Sequence, residues 1–133
     1  GGGILALAAL HAGAIHVTAT EIDPWAITAC EINLNDWLGQ VSLSCEDWIG
    51  RSLPPKTILL CGDMSYERNL CDRLMEWFAE LHDCEILIGD PGRGFVDRDL
   101  FETVARYRVP TDSDVDGTYT VEGFVLRYRG RRK

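Results

Sequence analysis

Gly1-Gly2-Gly3-Ile4-Leu5-Ala6, running into Leu7–His11 and closed by Gly13, decides how the rest of the chain reads. Successive glycines make the tight part of a turn, because a residue without Cβ reaches left-handed backbone angles and lets a ligand come close. The apolar, alanine-rich run after them favours helix, and Gly13 stands where a helix stops. A glycine turn that opens a helix leaves backbone N–H groups unpaired and attracts negative charge. His16–Ile22 (HVTATEI) then reads as a strand whose end carries Glu21 and Asp23. Glu21 lies 20 residues after Gly1, about where a nucleotide-binding α/β fold places the carboxylate that holds ribose hydroxyls. A nucleotide-type cofactor site is expected here.

Outward from that stretch, strand and helix alternate. Asp23 is expected to cap the next helix, with Pro24 at its first position and Trp37 at its end. Val41–Cys45 and Lys56–Cys61 read as strands, the second a buried one stopping at Gly62-Asp63. Glu67–Leu81 carries Leu70, Leu74, Trp77, Phe78 and Leu81 on one helical stripe. Glu85–Ile88 reads as a strand ending at Gly89-Asp90-Pro91-Gly92-Arg93. Leu100, Phe101, Val104 and Tyr107 group as on a helix over 97–107, followed by a polar, acidic loop over 110–117 and a terminal strand over 118–128. Trp25, Trp37 and Trp77 are expected in the core. Three apolar strands thus end in acids, namely Glu21/Asp23, Asp63 and Asp90, and in an open parallel sheet ligands sit beyond those ends. The pattern predicts a doubly wound α/β domain with its site along that edge.

The 133 residues allow one domain, expected over 1–128, with a basic tail at 129–133. The composition, 46% hydrophobic and 26% charged, is that of a soluble globular chain, and no apolar run is long enough to span a bilayer. Cys30, Cys45, Cys61, Cys71 and Cys84 are spaced 15, 16, 10 and 13 apart, without ligand spacing to His11, His16 or His82. No metal site is expected; the cysteines read as small buried residues in a reducing cytoplasm. Net charge is −8 although the last seven residues hold five positive charges. Such an acidic body repels nucleic acid and suits a basic partner, while the basic end reads as a solvated terminus. Neither a nucleic-acid nor a membrane partner is expected, and the chain is expected to be a monomer. It opens without methionine, inside a turn that a strand should feed, so a lost N-terminal strand is expected.

Gly1-x-Gly3-x-x-Ala6 satisfies the loose dinucleotide fingerprint, which admits an NAD(P)-dependent oxidoreductase. No Tyr-x-x-x-Lys acid–base pair accompanies it. The later motifs point elsewhere: Thr20-Glu21-Ile22-Asp23-Pro24, Asn33-x-Asn35, Gly62-Asp63-Met64-Ser65-Tyr66-Glu67 and Leu87-Ile88-Gly89-Asp90-Pro91-Gly92-Arg93. With the glycine turn, these resemble the class I, seven-β-strand S-adenosylmethionine-dependent methyltransferases. Within them the chain looks most like the lysine methyltransferases of the electron transfer flavoprotein β subunit and their bacterial relatives.

The resemblance implies a Rossmann-like, mostly parallel sheet with an antiparallel C-terminal strand, and a first strand missing from this chain. It implies S-adenosylmethionine as cofactor and a protein lysine as acceptor, with that β subunit as the candidate protein. Gly1 and Gly3 would let the backbone approach the methionine moiety, Glu21 would accept from the ribose hydroxyls, and Asp47 from the adenine amino group with Trp48 beside the ring. Asp63 and Tyr66 would face the incoming nitrogen. Ser65 stands where an aromatic residue is expected. Plainer roles stay open: Asp63 as a cap for the helix at Glu67, Tyr66 and Trp48 as packed aromatics, and Asp90–Arg93 as a tight turn. The oxidoreductase and a truncated, non-catalytic domain remain as alternatives. The Asn/Asp-Pro-Pro-Tyr/Phe run of base-modifying methyltransferases is absent.

Overall fold

Helix α1 (Ile4–His11) starts where the glycine turn ends, with Gly3 at its N-cap in the left-handed region at φ 83°. It stops as expected: Gly13, at φ 97°, donates to the Leu10 carbonyl at 2.9 Å, and the Ala14 amide reaches back to Ala9 at 3.0 Å. The computed structural model describes residues 1–64, 66–92, 94–110 and 120–130. These divide into two compact units, Gly1–Trp48 and Ile49–Lys133.

In the first unit α1 is followed by β1 (Val17–Thr20), α2 (Pro24–Asn33), a 3-10 turn at Asn35–Trp37 and β2 (Val41–Ser44). The Asp23 carboxylate caps α2 by accepting from the Trp25 amide at 2.9 Å, and Pro24 takes the first helical position. β1 and β2 pair in parallel, Val17 against Val41 through Thr20 against Ser44. Ala6, Leu10, Cys30 and Leu34 form the core, with Trp37 partly buried against them. Trp25 does not join it. At 84% exposure it contradicts the expected core position, because the cap puts it in the first turn of α2, on the face away from Cys30.

The second unit runs β3 (Ile58–Gly62), α3 (Arg68–Glu80), β4 (Glu85–Asp90), a 3-10 turn at Arg98–Leu100, β5 (Phe101–Pro110) and β6 (Thr120–Tyr128). Its sheet order is β3-β4-β6-β5, with β3 parallel to β4 and β6 antiparallel to both β4 and β5. Mixed α/β layering and the antiparallel last strand agree with the expected fold class. Cys71, Leu74, Trp77 and Phe78 bury the apolar stripe of α3 against Cys61, Ile86, Ile88 and Leu126 of the sheet. The strand expected to be buried at Lys56–Cys61 is so on one side alone, since Ile58 and Leu60 are exposed.

The helix expected over 97–107 is a strand. Phe101 to Pro110 pair with Tyr128 to Thr120, and the register shifts between Thr103 and Ala105. That bulge puts Val104 out of step and breaks the alternation that marks a strand, leaving a spacing that imitates a helical stripe. The pairing edge of β6 supplies what local propensity does not. The acidic loop expected at 110–117 lies, beyond Pro110, outside the described residues, as do Ser65, Arg93 and 131–133. The basic end is not free where it is described: the Arg129 amide donates to Leu100 at 2.8 Å and its guanidinium pairs with Glu102, while Arg127 donates to Glu85 at 2.9 Å.

Candidate active site

The site residues of the first unit gather at the carboxyl ends of β1 and β2. Glu21 follows β1 directly, and its amide donates to the Ser44 carbonyl at 3.0 Å. The Ser44 hydroxyl accepts from the Trp48 indole N–H at 3.0 Å and donates to Glu46 at 3.2 Å. One serine at the tip of β2 therefore ties Glu21 and Trp48 to the same end of the two-stranded sheet. Asp47, between Glu46 and Trp48, is exposed there.

The glycine turn reaches the same place. The Gly1 amino group contacts Glu21 Oε2, while Oε1 accepts from the amides of Ile22 at 2.8 Å and Asp23 at 3.3 Å. Burial alone raises the Glu21 carboxyl, but hydrogen bonds from the Gly1 nitrogen and from the Asp23 and Ile22 amides outweigh it and hold the group below its usual 4.5. Helix α2 supports the turn from beneath. Asn33 Nδ2 donates to the Gly2 carbonyl at 2.9 Å and Cys30 Sγ to the Gly1 carbonyl at 3.0 Å. A Cβ on Gly3 would come within 3.0 Å of Leu34 Cδ1 and 3.3 Å of Cys30 Sγ, at a φ that side chains rarely adopt. Glycine is needed at that position on both counts.

In the second unit Asp63 leaves the tip of β3, next to the tip of β4. Gly62 pairs with Gly89, and the Asp63 amide donates to the Gly89 carbonyl at 3.0 Å. Asp63 sits at φ 45°, left-handed for a residue with a side chain, the kind of backbone that concentrates at functional sites. The N-cap position of α3 is held by Glu67. Tyr66 is 58% exposed, which removes the packed-aromatic reading. Asp90 behaves oppositely. It is 2% exposed, the one buried charged residue among the described residues, and its Oδ2 accepts from Arg98 Nη2 at 2.7 Å. Asp90 is thus more than a turn residue.

Sequence reading did not find Ser44, Cys30 or Arg98. A serine ending a four-residue strand and an arginine in a polar stretch carry no motif; their roles come from β1–β2 register and from a loop that returns to Asp90. Asn33 was visible within Asn33-x-Asn35, but not its contact. Cys30, Cys61 and Cys71 are buried as expected, whereas Cys45 is exposed and Cys84 half-buried. No group of metal ligands occurs among the described residues.

No family model matches the chain. Curated relatives do. The electron transfer flavoprotein beta subunit lysine methyltransferase of Xenopus laevis is 39% identical over 98 residues, covering 70% of this chain and 39% of that protein. That of Danio rerio is 32% identical over 137 aligned residues, covering 96% of this chain and 53% of its own length. The chain thus spans about half or less of the curated relatives it matches. Among solved structures, the ribosomal protein L11 methylase of Lactobacillus delbrueckii superposes with a TM-score of 0.61 at 19% identity, covering 99% of this chain and 66% of that one. A protein of the NADB-Rossmann superfamily from Streptococcus agalactiae gives 0.68 at 13% identity, covering 98% and 59%. These likenesses show the fold; the curated relatives, methyltransferases by name, do not favour the oxidoreductase. By sequence the chain is similar to curated lysine methyltransferases, and by fold to solved methyltransferase structures.

Proposed function

We propose that this chain is the catalytic portion of an S-adenosylmethionine-dependent N-methyltransferase acting on a protein lysine, with the electron transfer flavoprotein β subunit as acceptor. The observation that carries the reading is the gathering of the glycine turn, Glu21 and Trp48 around Ser44 at the ends of β1 and β2. The similarity to the named lysine methyltransferases supports the acceptor class.

The residues present fit the cofactor. A turn that excludes a Cβ, opening α1 with free amides, suits close approach of the methionine moiety, and Gly1 and Gly3 take that role. Glu21 is kept ionised and aimed by two amides, ready to accept from a ribose diol. Asp47 would accept from the adenine amino group, with Trp48 beside its ring. When bound, the cofactor supplies a sulfonium methyl carbon that bonds to the amine nitrogen as the carbon–sulfur pair leaves with sulfur.

The acceptor needs help from the protein. With an ordinary pKa of about 10.4, only about four lysines in ten thousand are neutral at pH 7. Asp63 holds the ammonium and orients it, Tyr66 hydrogen-bonds the nitrogen, and desolvation favours the neutral amine. The proton leaves to water. Holding the reacting atoms in line, rather than proton chemistry, supplies several kcal/mol of the barrier reduction. The free cysteines suit a reducing compartment such as the cytoplasm.

Titration with S-adenosylhomocysteine and, separately, NADH tests the reading. It stands if the first binds and Glu21→Ala abolishes binding, and if label from S-adenosylmethionine appears on lysine of the β subunit. Binding of NADH alone refutes it.

A further inference from the structure

We propose that the Asp90–Arg98 ion pair, set against Phe124, is a positioning device that holds residues 94–97, and with them Phe95, as a wall of the acceptor site. This rests on the reading of Asp63 and Tyr66 as the acceptor residues.

Asp63 and Asp90 leave adjacent strand tips, linked by the Asp63 amide on the Gly89 carbonyl at 3.0 Å. Their fates differ: Asp63 is exposed and Asp90 is buried. A buried carboxylate needs a partner, or it takes up a proton or opens its surroundings. Arg98 supplies one such partner from eight residues on, at 2.7 Å, and so ties the returning chain to the tip of β4. Its guanidinium also lies 4.4 Å from the centroid of the Phe124 ring, and Phe124 is the residue paired with Asp90 across β4 and β6. Ion pair and cation–π contact therefore fix the guanidinium from two sides. A Cβ on Gly92 would lie 3.7 Å from the same ring, at φ 84°.

Two further points pin residues 94–97. Val96 is buried in the core of the second unit, and the Phe95 carbonyl accepts from Cys71 Sγ of α3 at 3.2 Å. The Phe95 ring, in contrast, remains 39% exposed, with the Arg68 guanidinium 5.9 Å from its centroid. Arg68 opens α3 two residues after Tyr66, so Phe95 and the Tyr66 segment meet at one end of that helix. An exposed apolar ring there suits the four-carbon stem of a lysine, which packs on apolar surface while its nitrogen reaches polar groups.

A purely stabilising closure does not need charge, since apolar residues of similar volume replace buried ion pairs at little or no loss. What the pair adds is a fixed direction for the returning chain.

The test uses the full chain, S-adenosylmethionine and the electron transfer flavoprotein β subunit as acceptor probe. Arg98→Met keeps the stem and removes the charge. It should raise the acceptor KM on the order of tenfold, leave S-adenosylhomocysteine affinity within about twofold, and speed amide exchange at 94–97. Arg98→Lys should recover part of the KM, and Phe95→Ala should reproduce the KM rise without faster exchange. Unchanged exchange in Arg98→Met overturns the proposal, as does an unchanged KM or an equal loss of cofactor affinity. Asp63→Asn separates the two readings. Full turnover in that variant defeats the role given to Asp63 itself; lost turnover there, beside a normal KM in Arg98→Met, defeats the ion pair's role alone.

Discussion

Glu21 and Ser44 are joined across the tips of β1 and β2 by a 3.0 Å hydrogen bond from the Glu21 amide to the Ser44 carbonyl. The Ser44 hydroxyl in turn receives the Trp48 indole N–H. Backbone register thus sets the direction of Glu21, and a side-chain contact from the same serine sets that of Trp48. Ser44→Ala keeps the first bond and removes the second. It should weaken S-adenosylhomocysteine binding several-fold, the size expected for one lost neutral hydrogen bond of about 1 kcal/mol. Glu21→Ala should abolish binding. Calorimetric titration of both variants checks the order.

The Glu21 carboxyl lies below its ordinary 4.5 in the folded chain. A depressed carboxyl contributes stability that is present above the unfolded value and lost as pH falls through the folded one. Cofactor affinity and the stability of the first unit should therefore not change on account of Glu21 from pH 8 down to about 5. Both should fall below 4.5. Binding measured against pH in wild type and Glu21→Gln isolates this contribution.

Asp63 occupies a left-handed backbone at φ 45°, which Asp and Asn tolerate and β-branched residues do not. Asp63→Asn should fold normally and lose turnover. Asp63→Val should lose both turnover and about 1–2 kcal/mol of stability. Thermal unfolding beside methyl transfer separates the two effects.

The thiols divide by burial. Desolvation pushes Cys61 up from 9.0 to about 12, and raises Cys30 and Cys71 as well. At neutral pH Cys45, exposed at the end of β2, should alkylate first, and Cys61 only on unfolding. The folded chain keeps protons that the unfolded chain releases above 9.0, so stability should decline as pH climbs from there toward about 12. Mass spectrometry of alkylated chain and alkaline melting curves provide the checks.

Phe78→Ala should cost about 3–5 kcal/mol, because its ring is 1% exposed and packs against Trp77 and Tyr128. Trp25→Ala should cost less than about 0.5 kcal/mol, since that ring lies in solvent. Chemical denaturation of the two variants measures the contrast.

What the order of residues determined by itself was local: the glycine turn, the Asp23–Pro24 helix start, the one-sided stripe of α3 and the acids at strand ends. Each follows from backbone sterics, capping or periodicity within a few residues, so each is legible before folding. Tertiary structure decided the rest. The Phe101–Pro110 strand exists because β6 offers it an edge, and the bulge at Val104 hides that strand from any periodicity. Ser44 acquires its place from parallel register with β1, and Arg98 acquires a buried partner because the chain turns back to Asp90. Pairing and burial join residues far apart in sequence, and no local pattern encodes which distant partner will arrive.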